Sequence, residues 1–395
     1  MLSLGAALAL LLCAPTGASA QEASAAGSLG IGMFGHDPAT TVDVGLDVTG
    51  DDYAFGLGAR LRWLGGSGVR AEDWDQLSEV ARLIRYLHLD RDEPVQFSLA
   101  MGELGGVALG HGTIIGGYAS GLDVDHGHLG AQLRGVWRDL GFEAVIDDVV
   151  APRIIGTRAS YRLGAARIGA QAAVDVSAPE MTPAMTLDMS KSSVVPIVGL
   201  DAEAGGVTDD DRLAGSLYAD LIGELRTGAG LHLGAGGTVA LGDSGARLGL
   251  RAEGRLGTGG YIPVWIGPLY ERTRGERLQR ARAGGLGGAG GMVELSARAD
   301  EVGTAAVSWA TRPGLPDLVT AGLRAPYFRG VQAALWAAAE LSGPDRAHGL
   351  SMEARVRLPR SMFAVLEGAR LYRRRDAVFE RIWIATASIG AVLGE

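Results

Sequence analysis

Hydrophobic and polar residues alternate along much of the chain with a period of two. In residues 42–49, valine and leucine occupy every second position, and aspartate, glycine or threonine fills the positions between them. Residues 53–63 repeat the pattern after a Gly-Asp-Asp sequence at 50–52 that is typical of a turn. Because side chains alternate between the two faces of a β-strand, these segments predict a hairpin with one apolar and one polar face.

The same alternation recurs further along the chain and is clearest in residues 247–256. Arginine, glycine and glutamate share one face there, while leucine, alanine and glycine form the other. An arginine that faces lipid near the middle of a bilayer costs about 2–4 kcal/mol, so this charged face requires water. The segment therefore predicts a membrane strand between lipid and a wet lumen. Further strands are predicted at 95–102, 167–176, 352–358, 362–372 and 381–393.

Together these segments predict an all-β fold, a transmembrane antiparallel β-barrel of roughly 16 to 20 strands with a few long loops. Tyr53 and Trp63 lie ten residues apart on one apolar face. That separation gives ~25 Å of height for a strand tilted by ~40°, which is about the distance between the two aromatic girdles of such barrels. The sequence has no run of ~18 apolar residues that would predict a transmembrane helix. Its 47% hydrophobic content is instead spread over many strands.

Three regions depart from the simple strand pattern. Residues 178–193 and 258–290 contain proline, glycine or charged stretches and predict long loops, either outside the barrel or folded into it. Residues 74–87 fit a helical face as well as a strand. For that region we favour a hairpin of residues 80–89 and 95–102, because its second strand is clear.

The N-terminal residues predict export. An apolar stretch too short to span a bilayer precedes small residues, so residues 1–20 are predicted to be a signal peptide that is cleaved after Ala20. Cys13 allows a lipoprotein alternative, although Leu12 is large for that cleavage site.

After cleavage, residues 21–40 are predicted to be a short N-terminal lead and residues 41–395 the barrel. The predicted location is the cell outer membrane, with membrane lipid and the outer-membrane assembly machinery as partners. The net charge of −9 argues against nucleic acid as a partner. No pattern in the sequence predicts a cofactor or an oligomeric state.

One group of side chains suggests metal chemistry. Two aspartates and two histidines lie within residues 123–128, and one further histidine precedes them. Imidazole and carboxylate groups are common ligands of transition metals, but alternate residues of a strand point to opposite faces, so no complete ligand set follows. A solvated strand end or loop is the simpler interpretation, and a catalytic site is a further alternative. The candidate metal ligands are His111, Asp123, Asp125, His126 and His128.

The same region carries a family resemblance. Residues 110–114 read Gly-His-Gly-Thr-Ile, residues 122–126 read Leu-Asp-Val-Asp-His, and residues 147–149 read Asp-Asp-Val. With this pattern the sequence resembles a family of Gram-negative outer-membrane β-barrel proteins, most specifically over residues 72–165. The resemblance implies a fold and a location, and it implies no activity.

The sequence therefore favours a porin-like channel with a charged lumen. The alternatives are a barrel enzyme or a lipid- or peptide-binding barrel that uses the Asp/His group, and a structural or surface-interaction barrel. An enzyme is not the favoured class. Arginines in the lumen would attract anions into a channel. The residues predicted to line the pore are Asp43, Asp47, Arg60, Arg62, Arg247, Arg251, Glu253 and Arg255.

Overall fold

A computed structural model describes most of the chain after residue 21. The described ranges are 22–65, 68–92, 95–182, 186–208, 211–242, 245–300, 302–328, 330–342, 346–375 and 377–393. The predicted signal peptide, residues 1–20, lies outside the described residues.

Strands dominate the described chain. The strands of the first half are β1 (Glu22–Phe34), β2 (Asp37–Thr49), β3 (Tyr53–Leu64), β4 (Gly68–Val69), β5 (Ile84–Arg91), β6 (Gln96–Gly102), β7 (Gly130–Trp137), β8 (Leu140–Ile146), β9 (Ile154–Leu163), β10 (Ala166–Met181) and β11 (Leu187–Val207). The strands of the second half are β12 (Leu213–Glu224), β13 (Gly228–Ala240), β14 (Arg247–Gly259), β15 (Gly288–Ala299), β16 (Gly303–Arg312), β17 (Leu315–Phe328), β18 (Val331–Glu340), β19 (His348–Arg357), β20 (Met362–Arg375) and β21 (Val378–Leu393).

The strands form a closed antiparallel barrel. Each strand pairs with the next along the chain, except that β4 is a two-residue strand paired only with β3, which pairs directly with β5. The ring closes where β1 pairs with β21, from Ala25 opposite Leu393 to Phe34 opposite Ile384. The barrel has 20 strands, which confirms the predicted fold class at the upper end of the predicted range.

In the described part of the chain, helical structure is limited to short pieces outside the barrel wall. A 3-10 turn at Ala71–Asp73 and a short α-helix at Leu77–Ala81 lie between β4 and β5, and a longer α-helix, Tyr270–Ala283, lies between β14 and β15. We call Tyr270–Ala283 the interior helix. Among the described residues, no helix has the length and apolar character needed to cross a membrane.

Several predicted boundaries differ from the structure. Residues 22–40, expected to be a lead outside the barrel, form β1 and the start of β2. The favoured strand at 80–89 begins only at Ile84, because Gln76 and Glu79 form a capping box that starts the helix Leu77–Ala81. The predicted break at 178–193 is largely occupied by β10 and β11, and the break at 258–290 contains the interior helix.

The two faces of the wall differ as the alternation predicts. On β12, Leu217 and Leu221 are 67% and 56% exposed on the outer face. The residues between and beside them, Tyr218, Asp220 and Ile222, are buried in the interior. An exposed apolar outer face over a polar interior is the reverse of a water-soluble protein and is typical of a barrel surrounded by lipid.

The two ends of the barrel also differ. Both described chain ends, at Glu22 and Leu393, lie at the end where the connections are short, which we call the turn end. The opposite end, the loop end, carries the long connections. These include residues 65–83, 103–129, 147–153, 260–287 and 341–347.

Candidate functional site

Two long connections from the loop end fold into the barrel and fill one side of its interior. We call residues 103–129 the first inner segment and residues 260–287 the second inner segment. Ile114 and Tyr118 of the first, and Ile266 and Tyr270 of the second, are fully buried. They form one apolar cluster with inward side chains of the wall strands β8 to β12. A β-barrel of this size holds water unless segments of this kind fill it.

The two inner segments pair with each other through their backbones. Ile115 and Ile266 form a parallel bridge, in which the Gly116 N–H donates to the Ile266 carbonyl and the Ile266 N–H donates to the Ile114 carbonyl, both at 3.0 Å. The Tyr118 hydroxyl then donates to Glu271 of the interior helix at 2.6 Å. The backbone groups are thereby satisfied inside the barrel, so the two segments dock as one body.

The Gly-His-Gly sequence at 110–112 forms the turn that reaches the wall. Gly110 and Gly112 have φ angles of +54° and +77°, which favour glycine. The turn projects His111 against β12, where its Nδ1 lies 3.0 Å from Asp220 and its ring stacks on Tyr218 at 4.3 Å. Burial alone would lower the pKa of His111, but the hydrogen bond to Asp220 together with the negative charges of Asp220, Asp201 and Glu203 outweighs this effect and the pKa is raised.

The charged residues that the sequence places on one face of residues 247–256 lie on β14. In the structure most of them form a hydrogen-bonded network instead of a row of free charges. Glu253 accepts hydrogen bonds from both Arg251 and Arg255, and it also contacts His232 of β13 at 2.8 Å. Arg251 further donates to the carbonyl oxygen of His111. This network therefore ties the first inner segment to β14, whereas Arg247 is exposed at the turn end.

The interior helix is held by charged groups that are also buried. Arg274 donates to Asp175 of β10 at 2.6 Å, and Arg153 contacts Glu271 at 3.2 Å. Burial opposes ionisation of Glu271, but the positive charges of Arg153 and Arg274 outweigh it and lower the pKa of this carboxyl to about 2. The helix is thus held by ionised pairs as well as by Tyr270, Leu278 and Ala281, which belong to the apolar cluster.

No protein-family model and no curated protein sequence matches the chain. Solved structures with a similar fold include OpdL of Pseudomonas aeruginosa, which is 12% identical, with 94% of this chain and 98% of that chain covered at a TM-score of 0.37. A BenF-like porin from Pseudomonas fluorescens Pf-5 is 10% identical, with 96% and 100% covered at a TM-score of 0.39. OccK11 (OpdR) of P. aeruginosa is 11% identical, with 94% and 96% covered at a TM-score of 0.39. At these identities and TM-scores, nothing about the activity of this chain follows from the likeness.

The five candidate metal ligands do not meet at one point. His126 lies between Asp123 at 2.8 Å and Arg374 at 2.9 Å. His128 lies in the same way between Asp148 and Arg153, and Asp125 pairs with Arg70. An arginine beside each of these groups competes with a metal ion for the same ligand atom.

His111 belongs to a different group, on the far side of the first inner segment. Its ring lies with Asp201 and Asp220 so that one ligand atom from each falls within 4.8 Å of the others. Both carboxylate oxygens of Asp201 already accept hydrogen bonds from Arg158, at 3.0 and 2.6 Å. A cation would have to displace that guanidinium group, so the arrangement fits an ion-pair anchor better than a metal centre.

The side of the barrel that the inner segments leave free contains three successive cavities. The first opens at the loop end, has a volume of about 390 Å³ and is lined by both histidines of the Asp/His group. The second, of about 250 Å³, shares His128 with the first. The third, of about 60 Å³, lies closer to the turn end and shares Asp43, Arg60 and Arg85 with the second. We call these three cavities together the side passage.

The narrowest part of the side passage is crossed by ion pairs. Asp43 and Arg60 are register partners on β2 and β3 and lie 2.9 Å apart. Arg60 also reaches Glu367 of β20 at 2.6 Å, although β2, β1 and β21 separate their strands in the ring. This ion pair therefore crosses part of the lumen and links two strands that are not neighbours in the wall. Arg62 pairs with Asp73, and Asp47 accepts a hydrogen bond from the Tyr86 hydroxyl.

Some residues of the interior were missed at the sequence level. Glu367 lies on a strand that was predicted, but its face also carries Phe363, Val365 and Leu371. The alternation therefore marks neither the direction of Glu367 nor its partner. The interior helix gave no recognisable signal, because its sequence is charged all round and has no apolar stripe.

Proposed function

We propose that this protein is an outer-membrane β-barrel channel that lets small polar solutes cross through the side passage. The proposal rests on the row of three cavities, lined by charged side chains, beside the docked inner segments. The apolar outer face supports insertion into lipid: Ile31, Leu200 and Leu217 are 71%, 62% and 67% exposed. Closure of the ring leaves no strand edge unpaired in the hydrocarbon layer.

The two ends of the barrel give its orientation. Barrels of the outer membrane have short turns on the periplasmic side and longer loops outside the cell. The turn end, with both described chain ends, is therefore assigned to the periplasm. Solutes would enter at the loop end, between the inner segments and the ends of β20 and β21.

The charged side chains that cross the lumen can form hydrogen bonds with a polar solute as it passes. Arg60 holds both Asp43 and Glu367, so charged groups of both signs face the narrowest cavity. A polar solute can exchange hydrogen bonds with these groups as it replaces water, whereas an apolar solute leaves them unpaired. Selectivity in this proposal comes from the width and polarity of the side passage.

Recording from planar bilayers tests the proposal. Purified protein should give small stepwise conductances, which a barrel enzyme or a structural barrel would not give. Glu367→Gln removes the ion pair that ties Arg60 to β20. The conductance should rise roughly two-fold, because the Arg60 side chain no longer crosses the lumen. Glu353→Gln on the neighbouring strand is the matched control, since Glu353 pairs in register with Glu367 and is not a partner of Arg60. Incorporated protein that carries no current would contradict the proposal.

A further inference from the structure

The outer surface of the barrel carries two arginines close to the loop end. Arg370 of β20 lies opposite Trp383 of β21, and its guanidinium carbon is 4.9 Å from the centre of the indole ring. Arg381 is exposed, lies opposite Tyr372 and precedes Trp383 by two positions on the same face. Trp383 is 55% exposed on the outer face of the wall, so both arginines point away from the lumen.

A histidine on the next strand borders this basic surface. His348 opens β19, and its backbone N–H donates to the Tyr372 hydroxyl at 2.9 Å. We call Arg370 and Arg381 the outer basic patch.

The outer basic patch lacks the carboxylates that accompany arginines in the lumen. Inside the barrel, Arg60, Arg158 and Arg312 each pair with at least one carboxylate. Within the described residues, no such pair is found for Arg370 or Arg381. The Nε of Arg370 is buried and has no hydrogen-bond acceptor in the described structure. With no carboxylate beside them, the guanidinium groups of Arg370 and Arg381 have donors to offer to an acceptor from outside the chain.

The position of the patch indicates what supplies that acceptor. Directly toward the turn end from it, Leu366 and Ile389 are each 58% exposed and belong to the apolar outer face. The patch therefore lies at the border of the apolar band, where arginine side chains reach the headgroup layer and aromatic rings are enriched. Guanidinium groups bind phosphate oxygens through two parallel hydrogen bonds, which no neutral headgroup can match.

We propose that the outer basic patch binds the phosphate of an anionic lipid in the outward leaflet, such as a phosphorylated lipid A. The inference rests on the orientation given under the proposed function, because that orientation places the loop end in the outward leaflet. Trp383, which is 55% exposed, would contact the same lipid at the boundary between its headgroup and its acyl chains.

Lipid binding to the folded barrel in neutral detergent tests the inference. Native mass spectrometry with diphosphoryl lipid A should show retained lipid, and lipid A with its phosphates removed should be retained far less. The double variant Arg370→Gln/Arg381→Gln should weaken retention about ten-fold or more, since it removes the charged donors. Arg138→Gln is the matched control, because Arg138 also stacks on an exposed tryptophan, Trp137, but lies at the turn end.

The lipid site and the channel can fail independently in these experiments. Equal retention of phosphorylated and dephosphorylated lipid, or unchanged retention by the double variant, overturns the lipid site. If an equal concentration of inorganic phosphate displaces the lipid, the patch is a site for free phosphate and not for a lipid. The same variants are recorded in bilayers of neutral phosphatidylcholine, where all should conduct. A protein that conducts but retains no lipid refutes only this inference, and one that never inserts refutes the proposed function.

Discussion

Glu253 contacts four different side chains in the barrel interior. It is buried between Arg251, Arg255 and His232, and it receives a further hydrogen bond from Tyr218. Removing one partner of a buried ion pair leaves the other charges uncompensated, which costs about 3–5 kcal/mol. The stability of β13, β14 and the first inner segment should therefore depend on this one side chain.

Glu253→Gln should lower the stability of the folded barrel by about 3 kcal/mol, because the buried guanidinium group of Arg255 and the partly exposed one of Arg251 lose their counter-charge. The measurement is urea-induced unfolding in detergent micelles, followed by tryptophan fluorescence. Asp300→Asn is the control, since Asp300 pairs with Arg298 while both are well exposed. An equal loss of stability in the two variants would speak against a buried network at Glu253.

The neighbouring residues Leu250 and Arg251 lie on opposite faces of β14. Leu250 is 54% exposed on the outer face, and Arg251 is bonded to Tyr218 inside. Leu250→Arg should impair insertion into the membrane, because a guanidinium group facing lipid costs about 2–4 kcal/mol near the midplane. Leu250→Ile should insert normally. The amount of heat-modifiable protein in outer-membrane fractions measures this, and normal insertion of Leu250→Arg would reverse the assignment of faces.

The faces of some charged residues could be read from the sequence, but their partners could not. Alternation places Asp43 and Arg60 on the polar faces of β2 and β3, and the structure pairs them in register. Glu367, the second partner of Arg60, comes from a strand at the other end of the chain. Such a contact depends on ring closure and strand register, which local patterns do not encode.

At the scale of elements, the strands are predicted well and the interior helix is not. Each strand carries its own signal because one face always meets an apolar surrounding. The interior helix has few apolar residues, and its charged residues Arg274 and Glu271 find charged partners inside the barrel. Its charged sequence therefore resembles a solvated loop until the surrounding wall is known.

Docking of the interior helix should weaken in acid. The pKa of Glu271 is lowered from 4.5 to about 2 in the folded protein. A lowered pKa contributes stability that is fully present above about pH 4.5 and is lost as the pH falls toward about 2. Hydrogen exchange of the helix amides, corrected for the intrinsic effect of pH, should accelerate over this range.

Two substitutions on the same helix check the origin of that pH dependence. Glu271→Gln should already exchange faster at neutral pH and lose this part of the acid response. Glu276→Gln should keep it, because Glu276 pairs only with Arg272 on the helix surface and both are partly exposed. An unchanged acid response in Glu271→Gln would assign the effect to another carboxyl.

For the whole molecule, the unequal ends predict which connections face outward. Ser342 lies exposed in a loop-end connection, and Asp139 lies exposed in the turn between β7 and β8. A cysteine introduced as Ser342→Cys should react with an impermeant maleimide on intact cells. Asp139→Cys should react only after the outer membrane is broken. The reverse labelling pattern would invert the barrel. Cys13, the only cysteine in the sequence, precedes the described residues and lies in the predicted signal peptide.

The seam between β1 and β21 has a consequence for biogenesis. β1 emerges first from the ribosome, yet one of its two edges stays unpaired until the last strand has been made. An open edge readily recruits other strands, so the nascent chain needs shielding throughout its synthesis and transit. Loss of β21 would expose the edges of both β1 and β20, and a stop codon before β21 would therefore prevent closure of the entire barrel rather than shorten it.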